Sequence, residues 1–453
     1  MMAGRSFVPI FHGCRSIHSL RRTFRRALQK RLFSNGAIPP LNEPLPNMPA
    51  PAPDMVCGAD WQNRHDHVTH VTTLDNGIKV ASEDSFGQFS TVGVVIDAGS
   101  RYEVDYPSGL SHLLEKLAFQ STVEFQSNDD IMQELEKFGG MADCSSFRDA
   151  IIYGTSCFTS GLPTVMKVLS QAVFQPQLTD QEIEEQKMVV QFELENLEMR
   201  PDPEPVLTDL IHAAAFRDNT VGLPKLCPPE NIGKFNSTIL QDYMKRYYQP
   251  SRIVIAGVNV DHQHLADLTN DYFVNKPPMW QREGEATESP DRSIAQYTGG
   301  IVKVFWNTPG HLLSSYVNVM CIDFQLRDLT HVIVKEYFTL INGPINEVEV
   351  ARAKKQLQSM LMMNLESRVI VFEDIGRQVL GLHKRKSAQE LFQSIENVTV
   401  DDIKRVSSRM LASKPSVAAL GNLTNLPKFE EIERAFCNRG TFSGASRFFL
   451  FRN

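Results

Sequence analysis

The sequence predicts an α+β fold made of two similar domains, the second of them shortened. Three observations lead there. From about residue 66 strand-like segments are followed by helix-like ones. Paired landmarks recur at a near-constant offset of 165 residues. The interval between corresponding landmarks is much shorter in the second half. A chain of 453 residues has room for two or three domains. Its 42% apolar and 22% charged residues are ordinary globular values. They exclude a fibrous chain, a wholly disordered chain and a disulfide-stapled mini-protein.

The net charge of −7 is unevenly spread. Residues 1–33 hold Arg5, Arg15, Arg21, Arg22, Arg25, Arg26, Lys30 and Arg31 and no acid; the first acidic residue is Glu43. Ile17, Leu20, Phe24, Leu28 and Leu32 recur in steps of three and four, which puts them on one helical face. Arg-rich, acid-free and amphipathic is the composition of a mitochondrial transit peptide. Arg31-Leu32-Phe33-Ser34 has the form of a matrix-processing site cut between Phe33 and Ser34. A nucleic-acid or membrane-surface arm is the competing reading, but the acidic remainder disfavours phosphates, so no nucleic-acid partner is expected. Residues 34–65 read as a linker, with seven prolines between 37 and 57. No apolar run is long enough for a membrane span. The seven cysteines include no CxxC pair, which argues against a disulfide framework and a cysteine zinc site.

The first domain is assigned to 66–280. His67–Val71 and Ile78–Ser82 flank Asp75-Asn76-Gly77, a strong hairpin signal. Phe89–Ala98 is valine-rich and strand-like. A helix follows Pro107-Ser108, with Ser108 as its expected N-cap. Thr179-Asp180-Gln181-Glu182 has capping-box form and opens a long helix. The prolines at 201, 203 and 205 end it.

The second domain is assigned to 295–453. Glu182-Ile183-Glu184 is matched by Glu347-Val348-Glu349, and the strand Ile253–Ala256 by Val417–Leu420. Asp242-xx-Lys245-Arg246 is matched by Asp401-xx-Lys404-Arg405. Repeats in constant order imply two similar layers, each burying a core. About 117 residues precede Ile183 in the first domain, but only about 53 precede Val348 in the second. The second therefore lacks roughly sixty residues, about half of such a domain.

The chemistry concentrates in Gly109-Leu-Ser-His112-Leu-Leu-Glu115-Lys116-Leu117. Positions 112, 115 and 116 share one helical face. H-x-x-E-H is the inverted zincin motif, with two histidine ligands and a glutamate base. Here Lys116 stands at the second histidine. An ammonium has no lone pair and is repelled by a dication. Glu193, among Val189, Val190 and Leu197, reads as a carboxylate on a largely apolar helix face that needs a partner. The expected partner of Lys116 is Glu193 or Glu115.

These segments resemble the M16 family of metallopeptidases. The runs Gln191–Thr208, Asn219–Leu223, Gln356–Ser367 and Val417–Gly421 extend the resemblance over most of 66–300 and 345–453. It implies a mostly antiparallel sheet with helices packed on it in each domain. It implies that Glu193 corresponds to the third zinc ligand, so that His112, Glu115, Lys116 and Glu193 form a degenerate zinc site with no catalytic residue and no metal on this chain. The resemblance is to non-catalytic, alpha-type members. It implies a heterodimer with a catalytic beta-type subunit that carries the zinc, basic presequence peptides as ligands, and a mitochondrial matrix location, free or associated with the inner membrane. The alternative is a structural core subunit of the respiratory cytochrome bc1 complex, which shares the fold. A glycine-rich loop of such members is missing, since Gly299, Gly300 and Gly310 are the only glycines from 290 to 330. One deletion near 304–312 accounts for both the lost loop and the short repeat. Nine acids between 179 and 205, among them Glu185, Glu195 and Glu198, read as a solvated face or as a negative wall for basic peptides.

Overall fold

Asp75-Asn76-Gly77 reverses the chain, with Gly77 at φ 94°, where a side chain would be strained. Strand β1 (Thr69–Thr73) thereby pairs antiparallel with β2 (Lys79–Glu83). The computed structural model describes residues 68–437, apart from 201, 202, 218, 281–288, 305–310, 315, 316 and 321–325. The basic head, Phe33, Ser34, the proline-rich linker and Gly310 lie outside the described residues.

The first half continues through β3 (Phe89–Ile96), α1 (Leu110–Leu117), α2 (Asn128–Glu136), β4 (Met141–Ser146) and β5 (Ile151–Phe158). Helices α3 (Leu162–Phe174), α4 (Asp180–Met199), α5 (Glu204–Ala215) and α6 (Ser237–Tyr247) follow, then β6 (Ile253–Val258) and α7 (His262–Thr269). The six strands form one sheet in the order β1-β2-β6-β3-β5-β4. Only the β2–β6 pair is parallel; the others are antiparallel. Alternation sorts the strand side chains onto two faces. Val92, Val94 and Ile96 of β3 and Ile253 and Ile255 of β6 join the core under α1, α2 and α3. Val95, Val254 and Ala256 face the other way.

The capping box expected at Thr179 is present. The Thr179 hydroxyl accepts from the Glu182 N–H, and the Glu182 carboxylate accepts from the Thr179 N–H. The same carboxylate accepts from the Ser121 N–H at 2.8 Å, tying the start of α4 to the loop after α1. Thr179→Ala should cost about 1 kcal/mol of stability. A urea titration that detects no loss would contradict that role for the cap.

The second half holds β7 (Gly300–Val304), β8 (His311–Ser314), β9 (Val317–Met320), α8 (Leu326–Asn342) and α9 (Glu347–Asn364). It continues with α10 (Arg368–Leu382), α11 (Ala388–Glu396), α12 (Val400–Leu411), β10 (Ser416–Leu420) and α13 (Phe429–Cys437). Its sheet runs β7-β10-β8-β9. β7 and β10 are parallel, whereas β10–β8 and β8–β9 are antiparallel. This reproduces the four inner strands of the first sheet, β2-β6-β3-β5, with the same directions. Among the described residues the second half has no counterpart of the flanking strands β1 and β4, nor of α1 and α2. The repeat is therefore real at the level of topology, and the second copy is the shorter.

The halves are interlocked by an exchange of helices. α5, from the first half, packs on the second sheet, where Leu207 meets Ala418 and Leu420. Its counterpart α10, from the second half, covers the outer face of the first sheet with Val371, Phe372, Ile375 and Val379. The close approach of α10 needs glycines on both sides. A Cβ on Gly376 would lie 2.4 Å from Val95, and one on Gly93 would lie 2.6 Å from the Phe372 ring.

Candidate functional site

The site grows from the first turn of α1. Ser108 is not its cap, contrary to the sequence expectation. The N-cap is Gly109 at φ 98°, and no side chain at that position serves the turn. Instead Glu103, six residues upstream, accepts from the Gly109 and Ser111 N–H groups, each at 2.7 Å. The negative carboxylate satisfies donors that a helix start leaves unpaired and sits at the positive end of the dipole. Burial pushes the Glu103 carboxyl up to about 7 in spite of those donors. Gly109 is required for a second reason. A Cβ there would fall 2.4 Å from Cys227 Cα, in the segment that reads His112.

α1 presents His112, Glu115 and Lys116 toward α4 and β4, and the structure brings together all four residues expected from the sequence. Lys116 Nζ lies 2.8 Å from Glu115 Oε1 and 2.7 Å from Glu193 Oε2. The expected pairing with one glutamate or the other is a pairing with both. His112 is buried, and each of its ring nitrogens has a partner. The Cys227 N–H donates to Nδ1 at 3.2 Å, and Nε2 lies 3.3 Å from Glu193 Oε2. A nitrogen that accepts from an N–H carries no proton, so the ring proton sits on Nε2 and is donated to Glu193. Glu115 Oε2 accepts from Ser146 N–H at 2.8 Å and from Ser146 Oγ at 2.7 Å.

Electrostatics fix these charge states. Burial pushes the Glu115 carboxyl up, but Lys116 and Ser146 outweigh it and hold it low. Burial acts on Glu193 in the same sense, and the donors His112 and Lys116 bring it down to about 2. Burial lowers Lys116, and the two carboxylates more than restore it, so it stays an ammonium.

Zinc does not fit this donor set. It needs lone pairs on about three protein ligands. Here the Nε2 lone pair of His112 is replaced by a proton donated to Glu193, and the second ligand position is an ammonium already bridging both carboxylates. The arrangement can hold charge and orient α1 against α4.

Sequence reasoning missed Glu103, Ser146 and Cys227. No spacing rule marks them, because their contributions come from β4 and from loops brought in by tertiary packing. It also misplaced Val189, which is exposed, while Val190 and Leu197 are buried as expected. Of the acids along α4, Glu184 pairs with Lys187, Glu193 with Lys116, and Glu182 serves the cap. Asp180, Glu185, Glu195 and Glu198 remain exposed, and Asp202 lies outside the described residues. Met188, Phe192 and Met199 are also exposed on α4. Together with Glu185 and Glu195 they form one stripe at helical spacing. No helix among the described residues is long and apolar enough to cross a membrane.

Comparison with known proteins gives the family. The sequence model described as "Insulinase (Peptidase family M16)" matches residues 79–229, and "Peptidase M16 inactive domain" matches 234–314. The chain is 42% identical to the mitochondrial-processing peptidase subunit alpha of Homo sapiens over 500 aligned residues, covering 92% of this chain and 94% of that protein. It is 31% identical to the Caenorhabditis elegans alpha subunit, covering 96% and 98% of the two. It is 29% identical to the beta subunit of Bos taurus, covering 80% of this chain and 86% of that one. Among solved structures, a chain of "Complex III2 from Candida albicans, Inz-5 bound" superposes with a TM-score of 0.66 at 20% identity, covering 81% of this chain and 99% of that chain.

Proposed function

The chain belongs to the insulinase family of peptidases, family M16, and we propose that within it the chain is a non-catalytic, alpha-type subunit of a mitochondrial processing peptidase. It pairs with a beta-type subunit that carries zinc and helps hold the basic N-terminal presequences of imported precursors in the matrix. The observation that carries this reading is Lys116 at a ligand position, bridging Glu115 and Glu193 at 2.8 and 2.7 Å. A subunit built this way does not hydrolyse peptides, and its contribution is to binding.

The stripe on α4 supplies what such binding needs. A presequence is an amphipathic basic helix, and α4 offers it exposed Met188, Phe192 and Met199 between exposed Glu185, Glu195 and Glu198. Charge complementarity of this kind raises capture rates and fades with salt. The alignment to the human alpha subunit runs over 500 positions, more than this whole 453-residue chain, which accords with an internal deletion that removes the glycine-rich loop. The deletion falls near 304–312, and the first domain, 66–280, is the complete one.

Co-expression with a beta subunit tests the reading. The expected result is a heterodimer that cleaves a synthetic presequence, with binding that weakens as salt is added. The isolated chain should hold no stoichiometric zinc and cut nothing. Stoichiometric zinc on the isolated chain, or co-purification with membrane haem proteins and no beta subunit, would overturn it. Restoring the loop should strengthen presequence binding without adding zinc to this chain.

A further inference from the structure

A cavity of about 470 Å³ opens beside the first sheet, between the segment 97–102, the start of β6 and the segment 291–295. Three guanidinium groups line it: Arg101, Arg252 and Arg292. Only Arg252 is neutralised. It donates through Nε and Nη2 to the Asp97 carbonyl and pairs with the Asp97 carboxylate at 3.0 Å. Asp97 is further occupied by the Tyr102 hydroxyl, which donates at 2.5 Å. Asp291, the other acid at the cavity, accepts from Ser293 N–H and Oγ at 3.2 and 2.6 Å.

Arg101 and Arg292 form no ion pair among the described residues. The buried Nε of Arg101 has no hydrogen-bond partner. Its guanidinium lies 5.3 Å from the centre of the Tyr102 ring, which it shares with Arg252 at 4.8 Å. Asp97 offsets only one of the two guanidiniums at this ring, and Arg101 keeps its charge without a carboxylate partner among the described residues.

We propose that this cavity is a binding site for a phosphate monoester. Arg101 and Arg292 form no ion pair among the described residues, and with Asp291 the one further acid in the lining the cavity keeps a net positive charge. A monoester phosphate carries roughly −1.5 to −2 near neutral pH, whereas a carboxylate carries one. The planar forks of Arg101 and Arg292 match phosphate oxygens. The volume falls within the range of small-molecule sites, about 300–1,000 Å³, so there is space for the esterified group beside Tyr102 and Ile294. The same headgroup chemistry occurs in a soluble phosphate ester and in phosphatidic acid.

Isothermal titration of the full chain with phenyl phosphate tests the site. One saturable event is expected, weakened at least tenfold in Arg292→Gln. That residue is exposed and makes no ion pair among the described residues, so its variant should fold. Arg101→Gln should weaken it similarly, and Arg409→Gln, on another element, should leave it unchanged. Absence of saturable binding, or full binding in both cavity variants, overturns the proposal. Sedimentation with phosphatidylcholine vesicles, with and without phosphatidic acid, separates the sources. Capture that requires phosphatidic acid and is lost in Arg292→Gln assigns the site to a lipid headgroup. No capture, with phenyl phosphate binding intact, assigns it to a soluble ester.

Discussion

Replacing Phe372 by alanine should destabilise the protein by about 3–5 kcal/mol, the range for deleting a buried phenylalanine. The ring is 1% exposed and sits against Gly93 of β3, in the cluster with Val95, Ile152, Val254 and Ala256. All of those partners belong to the first half, while Phe372 belongs to the second. The cavity left behind lies between a helix and a sheet from opposite halves of the chain, and Gly93 beneath the ring carries no side chain to collapse into it. Urea unfolding followed by circular dichroism measures the loss. A cost below about 1 kcal/mol would mean that α10 does not hold the first sheet as described.

The second large effect is at Lys116. Lys116→Met keeps the stem volume and removes the ammonium, leaving Glu115 and Glu193 facing each other without a cation. Removing one partner of a fully buried pair costs about 3–5 kcal/mol. Lys116 is 20% exposed and Glu193 is 37% exposed, so solvent screens part of this and about 2–3 kcal/mol is expected. The pH dependence has a definite sign. Burial raises Glu193, but its donors bring the folded value down to about 2 from 4.5. Its pairing therefore stabilises the folded state above 4.5, and that contribution is lost as pH falls from 4.5 toward 2. The difference between wild type and Lys116→Met should be greatest near neutral pH and should shrink below 4.5. Equal losses at pH 7 and pH 4 would show that the substitution acts through packing alone.

Much of the fold and the heart of the site are legible in the sequence because they follow from local rules. The hairpin around Gly77, the cap at Thr179 and the face shared by His112, Glu115 and Lys116 depend on residues within a turn or two of one another. The matched strands β6 and β10 are legible because duplication preserved their spacing. What the sequence hides is choice of partner. The apolar face of α10 announces burial without saying against what, and the nearer sheet is the wrong answer. Likewise Pro107-Ser108 signals a helix start, but a carboxylate placed by the preceding turn outcompetes the local hydroxyl. Val189 and Val190 are indistinguishable by composition, and only the packing of α4 on α1 decides which one is covered. Lys116 is chemically unambiguous in the sequence, yet its bridging of Glu115 to Glu193 depends on a contact between α1 and α4 that no motif encodes.

The exchanged helices also govern how the molecule comes apart. A shortened domain with four strands has little cooperative strength of its own. Here it cannot melt independently, because releasing α10 strips the outer face of the larger sheet, and releasing α5 from β10 pulls on the chain just beyond α4 and Glu193. The weaker half thus borrows the unfolding barrier of the stronger one. Calorimetry of residues 64–453 should give a single endotherm rather than two, and a protease that nicks the chain between 289 and 299 should leave the fragments associated until that transition.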